Sequence, residues 1–219
     1  MRCDRVLGLS GFCRPILGVA MALSWLGMAG VDARGDESSV AYVEEDWELV
    51  VDQPATSNNG PQITCSISPL TMDAAYAALD INYHTQSDYV SGGLQMHAWN
   101  PSQPIVTATF PASGMLNTSD ETITWTQTMA LRDGLLRFQV VNGQSQTWGA
   151  FGGPGQAITL TARLENLNGY DPQVSLDNSG VSFASNRVRS LTLQAVRWFD
   201  GAGRLVRQVT TPQVAFPRP

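Results

Sequence analysis

Thr122-Ile123-Thr124-Trp125-Thr126-Gln127-Thr128-Met129, then Asp133-Gly134, then Leu136-Arg137-Phe138-Gln139-Val140, then Asn142-Gly143 is the stretch that decides the fold. Ile123, Trp125, Gln127 and Met129 alternate with four threonines. That is the period-two pattern of a strand with one buried face. Asp-Gly supplies the positive φ that a tight hairpin turn needs, and Leu136, Phe138 and Val140 return as the second strand. Asn142-Gly143 reads as the next turn. The same punctuation recurs along the chain. Leu79, Ile81 and Tyr83 alternate with Asp80, Asn82 and His84. Ile158, Leu160, Ala162 and Leu164 follow the Gly152-Gly153-Pro154-Gly155 break, and Leu191 and Leu193 lie beyond Asn168-Gly169 and before Asp200-Gly201. About ten short strands separated by turn residues predict an all-β fold, a sandwich or a barrel. Only Met72 to Ala78 has a helical pattern, one to two turns long.

The hairpin Asp133-Gly134-x-x-Arg137-Phe138-x-Val140-x-Asn142-Gly143 resembles those of concanavalin-like and laminin-G-like jelly rolls. The resemblance implies a two-sheet antiparallel β-sandwich of jelly-roll type. A second resemblance covers more of the chain. It rests on Glu44-Glu45-Asp46-Trp47-Glu48-Leu49-Val50, Ile123-Thr124-Trp125-Thr126, Asn142-Gly143-x-Ser145-Gln146-Thr147-Trp148-Gly149-x-Phe151-Gly152, Asn168-Gly169-Tyr170 and Asn186-Arg187-Val188. Together these are similar to a family of exported proteins of unknown function from planctomycete-type bacteria. That implies export and carries over no catalytic residue.

The N-terminus gives its own reason for export. Arg2, Arg5 and Arg14 precede an apolar run, Ile16 to Met28, too short to span a bilayer comfortably, and Val31-Asp32-Ala33 is a small-residue cleavage site. The expected organisation is a signal peptide over 1–33, an acidic, partly flexible leader over 34–61, in which only Trp47 to Val51 reads as a short strand and which is either free or an arm docked on the body, and the β-sandwich over 62–219. The expected location is the periplasm, the cell surface or the medium. Cleavage removes Cys3 and Cys13, so Cys65 has no partner for an internal disulfide. Between Thr64 and Ser66 it reads as a strand residue, with a reactive thiol or an intermolecular bridge as the alternatives.

The whole chain has a net charge of −6, with 13 bases, all arginine, and 19 acids. Setting aside Arg2, Arg5, Arg14, Asp4 and Asp32 leaves −7 on the mature part. Asp36, Glu37, Glu44, Glu45, Asp46, Glu48 and Asp52 crowd one segment that holds no base. No basic cluster is present to attract nucleic acid or anionic lipid, and no second apolar run suits a membrane span.

Two constellations carry chemistry. Glu44-x-Asp46-x-Glu48 on a strand puts three carboxylates on one face, about 7 Å apart per step. Laminarinase-like jelly-roll enzymes use such a strand, and glycosidases need two carboxyl groups. Against that, the motif lies close to the cleavage site, Glu45 stands where those enzymes place an apolar residue, and the acidic run reads equally as a solvated leader. The second constellation is a hairpin turning at Tyr89-Val90-Ser91-Gly92. It would set His84 opposite His97, Asn82 opposite Trp99 and Tyr83 opposite Ala98, giving one face with Asn82, His84, Gln95, His97 and Trp99. Trp99 would stack on a sugar ring while Asn82, His84 and His97 bond its hydroxyls. The alternatives are a metal held by the His pair with Asp80 or Asp88, and a polar outer face with no ligand. A one-residue slip of the turn would undo this reading.

Trp125 is expected in the core. Trp148 and Phe151 suit a core plug or a loop wall, and Trp198-Phe199 one residue in and one out. Asn117-Thr118-Ser119 matches a glycosylation acceptor by chance. Asp171, Asp177 and Asn178 lie in a long loop between Leu167 and Val181, suited to turn chemistry or a structural calcium. There is no Gly-x-Ser-x-Gly, His-Glu-x-x-His, Cys-x-x-Cys or phosphate-binding loop. The reading is therefore an exported, non-catalytic β-sandwich that binds polysaccharide or envelope glycan, or serves as a surface component, without a cofactor. The alternatives are a glycan-active enzyme using Glu44, Asp46 and Glu48, and a purely structural surface protein.

Overall fold

The structure, a computed structural model, describes residues 39–54, 60–82, 93–100, 103–109 and 114–218. All of them fall in one compact unit, Gly35–Pro219. The strands are β1 (Val40–Val51), β2 (Gln62–Ile67), β3 (Tyr76–Ile81), β4 (Leu94–Asn100), β5 (Gln103–Thr109), β6 (Glu121–Arg132), β7 (Leu135–Ser145), β8 (Gly149–Phe151), β9 (Ala157–Thr161), β10 (Gly180–Phe183), β11 (Val188–Asp200), β12 (Leu205–Val209) and β13 (Gln213–Phe216). One helix, α1 (Pro172–Asn178), interrupts them. The strands form two antiparallel sheets. The larger runs β12-β11-β1-β6-β7-β8, with β13 also on β11 and β9 also on β7; the smaller runs β10-β2-β3-β4-β5. The protein is an all-β sandwich, all-β as the alternation predicted and two-sheeted as the jelly-roll resemblance implied. The signal peptide expected over 1–33 lies outside the described residues.

Residues 40–51 of the acidic segment belong to the body of the fold. Val40–Val51 is a central strand of the larger sheet, paired with β11 on one side and β6 on the other. Val43, Glu45, Trp47, Leu49 and Val51 turn inward and are buried. Glu44, Asp46 and Glu48 fall on the opposite face, which solvent reaches, so the acids conceal an ordinary amphipathic strand.

The turns follow their chemistry, with two exceptions. Asp133 and Gly134 both adopt positive φ and join β6 to β7 with Arg132 facing Leu135. Asn142-Gly143 is not a turn. Asn142 has φ of 56° inside β7, where the register against β6 slips between Thr124 and Thr126. This is a β-bulge, and β7 continues to Ser145 before reversing into β8. A Cβ at Gly143 would run into the Phe151 ring. The second exception is Met72 to Ala78, which forms turns and then enters β3. Ala77, Leu79 and Ile81 pack inward between β2 and β4, and the ladder outweighs alanine's helical preference. The helix forms instead in the expected long loop. Pro172 starts it and Asp171 caps it, accepting from Gln173 N at 2.9 Å.

The core lies between the sheets. Trp47 stacks on Trp125 with centroids 6.4 Å apart, over Ile63, Cys65, Leu79, Ile81, Leu94 and Met96 of the smaller sheet. Each such side chain contributes roughly 1.5–3 kcal/mol by leaving water. Cys65 is the buried strand residue expected, and burial holds its thiol well above the usual range. Trp125 is core, and Trp198 is buried while Phe199 turns outward.

The β3–β4 hairpin does not have the predicted register. His97 faces Ala78, and Trp99 faces Tyr76. The offset from the predicted pairing is six residues, an even number. The apolar and polar faces were therefore assigned correctly while every cross-strand partner was wrong.

Candidate functional site

The outward face of the larger sheet carries a row of solvent-facing polar side chains. Its centre is a groove of about 260 Å³, lined by Asp46, Glu48, Thr124, Thr126, Asn142 and Gln194, with the backbone of Trp47 and Trp125 as its floor. β1 supplies the carboxylates, because its outward phase is acidic. β6 faces them with threonines from its own outward phase: Glu44 opposite Thr128, Asp46 opposite Thr126, and Glu48 opposite Thr124. The bulge brings Asn142 to the rim, and a register slip in β11 does the same for Gln194.

The three carboxylates are held differently. Arg197 grips Asp46 with two bonds, 2.6 Å to Oδ2 and 2.9 Å to Oδ1, and its Nε donates to Glu44 Oε2 at 2.7 Å. Thr126 Oγ1 also donates to Asp46 Oδ1 at 2.8 Å, and Tyr42 Oη donates to Glu44 Oε1 at 3.0 Å. The paired carboxylates hold the Arg197 guanidinium still more firmly charged than usual, and burial beside Glu44 pushes the Tyr42 phenol up to about 12. Glu48 instead accepts from Gln194 Nε2 at 3.0 Å, and no cation within salt-bridge distance of it is found among the described residues. The sequence singled out the acid triplet. It did not show Arg197, Gln194 or Asn142, which come from strands distant in sequence or from a bulge.

The predicted Trp99 platform is only partly assembled. His84 lies outside the described residues. Asn82 is fully buried, its Nδ2 donating to Pro61 O at 2.8 Å and its Oδ1 accepting from Leu116 N at 2.9 Å. It is a backbone clamp, with φ of 60°. His97 is fully buried 3.6 Å from Asp80 Oδ2, and Asp80 also accepts from Thr64 Oγ1 at 2.6 Å. Burial pushes the His97 imidazole down to about 4 and the Asp80 carboxyl up to about 6. Trp99 is half-buried, stacked on Tyr76 at 4.8 Å, with His97 5.7 Å away. One face of the indole is thereby covered by another ring.

A third polar group lies inside the sandwich. Glu45 is fully buried, in phase with Val43 and Trp47. Tyr170 Oη donates to its Oε1 and Trp47 Nε1 to its Oε2, the latter at 2.9 Å. With its amide oxygen toward Trp47, Gln127 accepts from the same indole at 3.2 Å and donates to Cys65 O at 3.0 Å. Ser175 Oγ, also buried, turns toward Glu45 and Tyr170 without a hydrogen bond of good geometry. Burial pushes the Glu45 carboxyl up to about 7, against these donors. The period of β1 marked this residue as inward, and its acidic neighbours hid the signal.

Elsewhere the polar residues have structural roles. Glu121 accepts from Gln146 N at 2.6 Å, Thr147 N at 3.0 Å and Thr147 Oγ1 at 2.6 Å, closing the β7–β8 turn. Trp148 packs on the core and donates to Gly114 O at 3.3 Å. Asp177 accepts from Gln173 Nε2 at 2.8 Å along α1. Among the described residues, no three His, Cys, Asp or Glu side chains are grouped to hold a metal, and no helix is long and apolar enough to cross a membrane.

No protein-family model and no curated protein matches the chain. Among solved structures it is similar to scytalido-glutamic peptidase in complex with a peptide-based transition-state analog. The two are 13% identical, with 81% of this chain and 83% of that one covered and a TM-score of 0.35. A second structure of that peptidase, with a transition-state analog inhibitor, is 14% identical over 81% of this chain and 82% of the other, with a TM-score of 0.29.

Proposed function

We propose that the protein binds glycan without turning it over, on the outward face of its larger sheet, in the groove around Glu48. The observation that carries this reading is the groove itself. It combines a carboxylate that no guanidinium among the described residues neutralises, two amides and two threonine hydroxyls on a rigid ladder, open to solvent. Sugar hydroxyls donate to carboxylates and accept from amides, and a few convergent polar groups on a firm floor are what orients such a ligand. On the same face, Tyr42 and Phe199 form a half-buried aromatic pair with centroids 5.5 Å apart. They lie about 20 Å along the strand from Glu48, a reach of several sugar rings. The export signal expected from the sequence is in keeping with an envelope or extracellular polysaccharide as ligand.

Binding is favoured over hydrolysis because a two-carboxylate mechanism needs two open carboxyl groups. Arg197 occupies both oxygens of Asp46 and one of Glu44, whose other oxygen accepts from Tyr42. Only Glu48 is left to face a ligand.

The test is a panel of neutral and acidic polysaccharides, read by affinity electrophoresis and by reducing-end release. The expected result is binding without release, weakened about tenfold or more in Glu48→Ala with Gln194→Ala. Trp99→Ala should leave it unchanged. Binding lost in Trp99→Ala but kept in the groove variant would move the site to the smaller sheet. Reducing ends that vanish with Glu48→Gln would make the protein an enzyme, and no binding to any polysaccharide would end the glycan reading.

A further inference from the structure

Glu45 is a carboxyl sealed between two sheets, and no cation meets it among the described residues. The walls around it are of two kinds. Three are ladder strands: β1 with Trp47, β6 with Gln127, and β2 with Cys65. The fourth is the connection from Leu167 to Ser179, which contributes Tyr170 and, from α1, Ser175. It is tied down at a few points. Leu167 N donates to Val40 O at 2.7 Å and Val40 N to Asn168 Oδ1 at 2.8 Å. At the far end, Ser66 N donates to Ser179 Oγ at 2.9 Å, Ser66 Oγ to Asn178 O at 3.1 Å and Arg218 Nη2 to Asp177 O at 2.6 Å, and Tyr170 packs on Trp198 with ring centroids 5.8 Å apart.

We propose that Glu45 is a proton-linked latch for this connection: protonated, it holds Tyr170 and α1 closed on the sandwich, and ionised, it releases them locally and draws water to the carboxylate. The physical reason is the absence of a counter-ion. A buried carboxylate satisfied by donors alone remains costly, and hydration is the relief available to it. Hydration through β1, β6 or β2 would break a ladder. Hydration through the connection breaks the few bonds above, which is how low-stability segments open while the rest stays folded. The groups facing Glu45 do not titrate in competition. Tyr170 from the connection and Cys65 from β2 are both pushed well up by burial, β6 presents only the Gln127 amide, β11 presents Val196, and α1 presents the Ser175 hydroxyl. Asp171, next to Tyr170, pushes that phenol the same way. Opening would also dismantle the crevice of about 350 Å³ between α1 and β13, whose walls include Leu176, Asp177 and Arg218.

Hydrogen exchange of the full chain tests this, at pH values about 1.5 units either side of neutrality and corrected for intrinsic rates. The expected result is about tenfold lower protection over 170–179 at the higher pH, with β1 and β6 unchanged, and no such difference in Glu45→Gln. Should Glu45→Gln fold poorly, Tyr170→Phe gives the second reading. It removes a donor that favours the ionised form in the closed state, so the fall in protection must level off at a higher pH. Protection of 170–179 that ignores pH, a loss that persists in Glu45→Gln, a loss shared equally by β1 and β6, or an unmoved levelling-off point in Tyr170→Phe would each overturn the latch.

Discussion

Replacing Glu45 by Gln should make the domain more stable at neutral pH and leave it nearly unchanged in acid. The side chain keeps its shape and one oxygen, which accepts from Trp47 Nε1, while its NH2 replaces Oε1 and donates to the Tyr170 hydroxyl, so the chief loss is the ability to ionise. The sign follows from linkage. The folded carboxyl ionises at about 7, against an ordinary value of 4.5, so the unfolded chain releases its proton first. Stability from this group is therefore full below pH 4.5, falls between 4.5 and 7, and is level above that. A difference of about 2.5 units at 1.36 kcal/mol each is about 3 kcal/mol, an upper figure if local opening relieves part of it. Asp80, pushed up to about 6, titrates in the same direction and sets a background slope that both proteins share. The assay is urea denaturation at half-unit steps from pH 4.5 to 8 on wild type and Glu45→Gln. The difference in unfolding free energy should grow with pH in favour of the variant and saturate near pH 7. Two parallel curves would refute the reasoning, since the buried carboxyl would then titrate no differently in the folded and unfolded states.

Two further substitutions test features that hold the architecture. Gly143→Ala should destabilise by about 2 kcal/mol or more, because the added methyl meets the Phe151 ring; Phe151→Leu in the same chain should recover part of the loss in thermal melts. Asn82→Ala should cost about 2–4 kcal/mol by urea denaturation, since it orphans the Pro61 carbonyl and the Leu116 amide and puts alanine at positive φ.

The site was half legible. The triplet Glu44, Asp46 and Glu48 stood out by spacing alone, but its setting did not. Seven acids in one segment outweighed the alternation of Val43, Trp47, Leu49 and Val51 and gave the appearance of a solvated leader. Charge on one face of a strand says nothing against burial of the other, and a central strand with an acidic outer face reads as both. The Trp99 platform was only partly legible for a different reason. Its faces were right and its partners wrong, because the pairing of β3 with β4 is offset by six residues from the one that a turn at 89–92 gives.

The alternation of apolar and polar residues over 121–145 and its neighbours was enough to dictate strands, their inward faces and an all-β fold. These are local consequences of a side-chain period of two and of the need to bury one face. The Asp133-Gly134 turn belongs with them, since positive φ is a property of those two residues. Register, bulges and strand order are of another kind. Whether Asn142-Gly143 turns or bulges depends on Phe151 lying across it. Whether residues 40–51 form a leader or the heart of a sheet depends on β6 and β11, some 80 to 150 residues away along the chain. Those choices rest on contacts between segments that no local pattern joins, and so do the pairing of Arg197 with Glu44 and Asp46, the open Glu48 and the sealed Glu45.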